Sequence, residues 1–146
     1  MSPFDIRSVL FAKHAQHVVL IHFPVALFVI GVAFDLVGQF TKNALLAAAA
    51  YYNVSVASVF TLPVIATGIL AWRFALDGAS MKGILLWHLL SALTVSVLIW
   101  TIAYIHSRAR RQNLPPSAYR WPLQVIAVGL LGLTAHLGGF LSGVNR

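Results

Sequence analysis

Four long apolar runs dominate this sequence and leave few folds open to it. They span roughly residues 18–40, 44–76, 83–105 and 121–141. Each reaches the length of about 20 predominantly apolar residues that an α-helix needs to cross a bilayer. Of the 146 residues, 60% are hydrophobic and only 9% are charged, against roughly 25% charged residues in an average soluble domain. The sequence therefore predicts a multi-pass integral membrane protein in contact with the lipid bilayer.

The connections between the runs are short, which favours antiparallel neighbours. The segments "TKN" and "DGASMK" separate the first three runs, and "HSRARRQNLPPSAYR", which contains a Pro-Pro step, precedes the fourth. Short connections make consecutive helices run in opposite directions. We therefore expect an all-α fold, an up-down-up-down four-helix bundle that forms a single domain over residues 1–146.

Several classes of function lack the residues that they need. The chain contains no cysteine, which excludes disulfides, thiolate metal sites, iron–sulfur clusters and covalent c-type haem. It also contains no phosphate-binding glycine loop, no nucleophile elbow and no paired carboxylates, so hydrolysis and nucleotide chemistry have no visible machinery. The question of enzymatic activity stays open beyond this, and a redox role is the furthest that the residues allow.

The net charge of +7 fits a membrane better than nucleic acid. The basic residues lie mostly in the connections, where the positive-inside effect and anionic lipids explain them. Four arginines crowd the last connection: Arg108, Arg110, Arg111 and Arg120. This asymmetry predicts that the arginine-rich loop is cytoplasmic and that both termini lie on the other side.

Three histidines are expected at one level of the bundle. His22, His88 and His136 each lie close to the helix ends that an antiparallel bundle brings to the non-cytoplasmic face. At 1.5 Å per residue, each is about 6–8 Å inside that face. Burial favours the neutral imidazole, which is the form that binds metals.

Small residues surround these histidines, most clearly in the fourth run. His136 lies in a stripe with four glycines at helical spacing, of which Gly132 and Gly139 are its neighbours. Such a stripe leaves room for a flat ligand. The alternative is a packing surface for another helix, including a second copy of the chain in a homo-oligomer, because "GFLSG" is a G-x-x-x-G motif.

These observations support a leading hypothesis and two alternatives. The leading hypothesis is a redox protein that holds one b-type haem near the non-cytoplasmic face, with His22 and His88 as axial ligands and His136 in reserve. A quinone or an external redox protein would then exchange electrons with it. The first alternative is a copper, zinc or iron ion bound by the three histidines, with His14 and His17 at the mouth. The second is a non-catalytic scaffold or assembly subunit without a cofactor.

Two further features of the first run carry structural expectations. Asp35 lies toward the opposite end of that helix and is expected to pair with Lys42 or with the arginine-rich loop. Pro24 in "HFP" lacks an amide hydrogen and biases the preceding residue away from the helical region. We therefore interpret "HFP" as the beginning of the first helix.

The order of several motifs resembles a bacterial family of small four-helix membrane proteins of unknown function. The motifs are "HVVLIHFPVAL", "TGILAW" followed by "ALDG", "WHLLSALT" and "HLGGFLSG". The matching positions are His17, His22, Pro24, Thr67, Gly68, Asp77, His88, Gly138 and Gly139. The resemblance covers nearly the whole chain and implies a location in the bacterial inner membrane. The family's occasional fusion to redox domains implies a haem or metal role.

Overall fold

The computed structural model describes residues 15–143, and this part of the chain folds into four helices without any strand. Helix α1 spans Ala15–Thr41, α2 Ala44–Ala75, α3 Gly83–Arg111 and α4 Arg120–Leu141. Each helix is long and apolar enough to cross a membrane. The expected all-α membrane bundle is confirmed, and the protein is a multi-pass membrane protein.

Two helix ends differ from the expectation. Helix α3 continues past residue 105 to Arg111, because cationic side chains in a last turn interact favourably with the negative end of the helix dipole. Helix α1 is already formed at Ala15, so Pro24 lies inside it. The interpretation of "HFP" as the beginning of the helix is therefore wrong. Membrane helices tolerate an interior proline because neighbouring groups can satisfy the freed carbonyl.

The helices pack as two hairpins that meet along one seam. Helix α1 packs on α2 over most of its length, and α3 packs on α4. A Cβ on Gly31 of α1 would lie only 2.8 Å from Val54 of α2, so glycine permits this close approach. The hairpins meet mainly through α2 and α3, while α1 and α4 touch little. We call the end where α1 and α3 begin the histidine end, after His17 and His88, and the opposite end the arginine end, after Arg108 and Arg120.

The hydrophobic core lies toward the arginine end. Its largest buried side chains include Phe28 of α1, Val54 of α2 and Ile99 and Ile102 of α3. The nearest buried residue of α4 to the histidine end, among those that the structure describes, is Leu131. In α1 that limit is Pro24. Beyond these two limits, the side chains of residues 16–23 in α1 and 132–141 in α4 are half-buried or exposed, so the histidine end is packed more loosely.

Candidate functional site

His88 lies half-buried between α3 and α4 at the histidine end. Its Nδ1 is 3.1 Å from the backbone oxygen of Thr134. A carbonyl oxygen only accepts hydrogen bonds, so Nδ1 carries the proton and Nε2 carries the lone pair of the neutral ring. A Cβ at Gly138 would lie 3.1 Å from Cε1 of His88. Glycine at this position therefore makes the room that the ring occupies.

His17 repeats this arrangement between α1 and α2. Its Nδ1 is 3.3 Å from Oγ1 of Thr67. That hydroxyl donates its own hydrogen to the carbonyl of Pro63 at 2.8 Å, so its oxygen accepts from Nδ1 of His17. A Cβ at Gly68 would lie 3.1 Å from Cε1 of the ring. His17 and His88 thus each rest on a glycine of the next helix at the same end of the bundle.

His22 lies elsewhere on α1. Its side chain is exposed, and its Nδ1 hydrogen-bonds at 2.7 Å to the backbone oxygen of Val18 in its own helix. The buried positions of α1 include Pro24 and Phe28. At 100° per residue, His22 is about 160° from Pro24 around the helix. The ring therefore lies on the side of α1 that is turned away from the core.

His22 is also deeper in the bundle than His88. The next residue, Phe23, stacks on Phe60 of α2 with ring centroids 5.3 Å apart, and the indole of Trp100 on α3 donates to α2 at that level. On α3, Trp100 is about 18 Å beyond His88 at 1.5 Å per residue. The structure therefore does not bring these two histidines to one level. The earlier start of α1, three residues before residue 18, accounts for about 4.5 Å of this difference.

His136 and the glycine stripe lie on the outer surface of α4. His136 is exposed, with its ring edge-on to Phe140 at 5.1 Å. A Cβ at Gly132 would meet no atom within 4 Å. Gly139 is half-buried, and its carbonyl accepts a hydrogen bond from Ser142. Gly138, one residue from Gly139 and 100° around the helix, contacts the ring of His88 on α3.

The three predicted ligands are not gathered into one cluster. Within residues 15–143, no group of three histidine or acidic side chains is placed to hold a metal ion. His22 faces outward from α1, His88 lies between α3 and α4, and His136 faces outward from α4. His14 lies outside the described residues.

Five of the nine residues that carry the family resemblance form contacts between helices. His17 lies against "TG" at Thr67 and Gly68, and His88 lies against "LGG" at Gly138. The chain belongs to the DUF2231 family of predicted membrane proteins. The family's sequence model matches residues 13–145. No curated protein and no solved structure matches the chain significantly. In this DUF2231 protein, motifs that are far apart in sequence thus form two matching contacts between helices.

A second polar cluster lies at the arginine end. Asp35 is 4% exposed, and its Oδ2 accepts hydrogen bonds from Nε of Arg120 at 2.7 Å and from Nε2 of Gln124 at 2.9 Å. The remaining guanidinium nitrogens donate to the carbonyl of Pro116 and to the side chain of Gln39. The predicted pairing of Asp35 with the arginine-rich loop is confirmed. It joins α1 to α4, two neighbouring helices that otherwise touch little.

The sequence interpretation missed His106 as part of this cluster. Its Nε2 is 3.7 Å from Oδ2 of Asp35 and has no hydrogen bond within the described residues. Oε1 of Gln124 is likewise buried without a partner there. With α3 expected to end at residue 105, His106 counted as a terminal residue. A helix that ends at Arg111 places it more than one turn inside the bundle, level with Asp35, so residue counting from the true helix end could have found it.

Proposed function

We propose that this DUF2231 protein is a membrane redox protein that binds one b-type haem at the histidine end, with His88 as an axial ligand. The observation that carries the proposal is the hydrogen bond from Nδ1 of His88 to the carbonyl of Thr134. A bond of this kind fixes the ring orientation and the tautomer, and it leaves Nε2 as the ligating atom. A haem held by two imidazoles accepts and releases single electrons.

We propose His17 as the opposite ligand, in place of the predicted His22. His17 is two helical turns from Pro24, so it lies on the inward stripe of α1, and its Nδ1 is backed by Thr67 as that of His88 is backed by Thr134. His22 has the matching tautomer, but it is exposed and lies deeper in the bundle. A haem needs its two imidazoles on opposite sides of one slot, which diagonal helices such as α1 and α3 can supply.

The packing of the bundle supports a cofactor at this end. The buried core stops at Pro24 in α1 and at Leu131 in α4, and these two helices have little contact with each other. A porphyrin between them would bury apolar surface that the protein leaves half-exposed. At the arginine end, by contrast, the Arg120–Asp35 pair occupies the space between α1 and α4.

The other hypotheses have less support. A copper, zinc or iron ion bound by three imidazoles requires a cluster that the described residues do not form, whereas a haem requires only two ligands. We keep a quinone or an external redox protein as the proposed electron partner at the histidine end. We also keep the bacterial inner membrane as the proposed location, with the histidine end on the non-cytoplasmic side.

The decisive experiment is an absorbance spectrum of protein purified in mild detergent from haem-supplied cells, recorded oxidised and then dithionite-reduced. We expect a Soret band with sharp reduced α and β bands, lost in His88→Ala and His17→Ala and kept in His22→Ala and the surface control His136→Ala. Full haem binding by His88→Ala would overturn the proposal. If His22→Ala lost the haem bands and His17→Ala kept them, His22 rather than His17 would be the second ligand. A wild-type protein without haem would overturn the proposal and favour the scaffold hypothesis, or a metal site if metal analysis finds an ion.

A further inference from the structure

A groove of about 580 Å³ opens between α2 and α3 at the arginine end. It is formed by one face of each helix, because its residues recur at intervals of three or four. From α2 the polar lining residues are Tyr51, Ser55 and Ser58, and from α3 they are Tyr104, Ser107, Arg108 and Arg111. Hydroxyl groups and guanidinium groups therefore face each other across the groove.

The groove has a positive charge that nothing in its lining balances. Arg108 and Arg111 are exposed, and none of the lining residues is acidic. The one acid in the four helices is Asp35, and Arg120 already engages it. Neither Arg108 nor Arg111 has an acidic partner among the described residues. The two guanidinium groups are therefore available to an anion.

A third arginine holds the two helices in place beside the groove. The guanidinium of Arg110 lies 4.9 Å from the ring centre of Tyr51 and 5.3 Å from that of Tyr52. It also donates a hydrogen bond to the hydroxyl of Tyr52 at 3.2 Å. Arg110 is thus committed to α2 through cation–π contacts, which distinguishes it from Arg108 and Arg111.

The chemistry of the groove changes with depth. The guanidinium groups lie at its mouth, close to the end of α3. Further in, Oγ of Ser55 is buried and has no hydrogen-bond partner among the described residues. Val59 and Ala103 add an apolar surface still further from the helix ends. The groove therefore offers cationic donors, then a hydroxyl donor, then hydrocarbon contact.

We propose that this groove binds the headgroup of an anionic phospholipid. The phosphodiester would accept hydrogen bonds from Arg108 and Arg111, and an acyl chain would follow Val59 and Ala103 into the membrane. A basic pocket between membrane helices at headgroup level is where such lipids bind. Val59 and Tyr104 of the groove lining are each 63% exposed on membrane-spanning helices, so the groove is accessible to a lipid from the bilayer. A free phosphate shares the anionic chemistry but has nothing to place on the apolar surface.

Native mass spectrometry of the detergent-solubilised chain, titrated with phosphatidylglycerol or phosphatidylcholine, tests this site. We expect the first phosphatidylglycerol to bind more tightly than phosphatidylcholine. The double variant Arg108→Gln/Arg111→Gln should lower that affinity by about tenfold or more, given about fivefold for each basic residue near the lipid surface. The matched control Arg73→Gln/Lys82→Gln removes the same charge at the histidine end and should leave the affinity unchanged.

Three results would overturn the proposal. They are equal binding of the two lipids by the wild type, an equal loss of affinity in the control variant, and displacement of the lipid by inorganic phosphate at equimolar concentration, which would indicate a soluble-anion site. Ser55→Ala provides a second variant that does not alter the charge. Because it removes a single neutral donor, we expect a twofold to fivefold loss of affinity. Unchanged binding in both variants would also exclude the groove.

Discussion

Replacing Arg120 with methionine should destabilise this protein far more than replacing an exposed arginine of the same region. Arg120 is 3% exposed and Asp35 is 4% exposed. Without the guanidinium, the carboxylate keeps only the hydrogen bond from Gln124. Leaving one partner of a buried ion pair alone costs about 3–5 kcal/mol. We expect Arg120→Met and Asp35→Leu each to lower the free energy of unfolding by an amount in this range.

The double variant Asp35→Leu/Arg120→Met should be milder than either single variant. It removes both buried charges and fills their space with apolar side chains, a replacement that is often close to neutral. If the double variant costs about 2 kcal/mol, the coupling free energy between the two residues is about 4–8 kcal/mol on these figures, larger than most pairwise couplings. A coupling free energy of this size is what we expect if the two residues stabilise the bundle as an ion pair.

Reversible unfolding in mixed micelles, with the fraction of sodium dodecyl sulfate increased stepwise, gives the four free energies of the cycle. Arg108→Met is the control, because its side chain is exposed and such changes usually stay within about 0.5 kcal/mol. Additive effects of the two single replacements, with no coupling above about 0.5 kcal/mol, would refute the argument that Asp35 and Arg120 stabilise the bundle as a pair.

Three smaller changes test individual contacts by the same unfolding assay. Gly138→Ala places a methyl group 3.1 Å from the ring of His88 and should lower the free energy of unfolding by about 1 kcal/mol. Gly132→Ala meets no neighbour and should leave the stability unchanged or raise it by up to about 1 kcal/mol. Equal effects of the two variants would contradict the contact between Gly138 and His88. Trp100→Phe removes an indole N–H that donates to α2 and should cost about 0.5–1.5 kcal/mol, so an unchanged stability would count against this bond. Asn43→Ala removes the side-chain cap of α2 and should cost about 1 kcal/mol, with Asn43→Asp as the variant that keeps the cap.

The fold could be predicted because it depends on a property that the sequence displays directly. Long apolar runs and short connections leave little choice besides an antiparallel helix bundle. The ends of the helices were harder to predict from the sequence. Arginines near residue 110 look like a loop by composition, yet they extend α3 to Arg111. Pro24 looks like a helix start, yet α1 includes it.

The expected positions of the candidate site residues depend on these helix ends. A helix that begins at residue 18 puts His22 level with His88, but α1 is already helical at Ala15, which moves His22 deeper. The direction of a side chain around its helix was a separate difficulty. A run that is apolar on all sides has no polar stripe by which to tell the inward face from the lipid face. Composition therefore could not show that Gly132 faces outward and Gly138 inward.

Charge was a better guide than hydrophobicity. Asp35 had to find a cation because an unpaired carboxylate in a membrane is costly, and this requirement alone predicted a cationic partner, either Lys42 or the arginine-rich loop. The requirement does not extend to neutral polar groups. His106 and Gln124 gave no comparable signal, although both belong to the same cluster.

The separation of Asp35 and Arg120 along the chain has a consequence for biogenesis. The two residues are 85 positions apart, and they belong to the first and the last helix. During synthesis, α1 leaves the ribosome long before α4 does, so Asp35 has no arginine partner from α4 at that stage. The ion pair forms only when α4 has inserted in the correct orientation. The bond between α1 and α4 therefore joins the two hairpins only after the last helix has inserted.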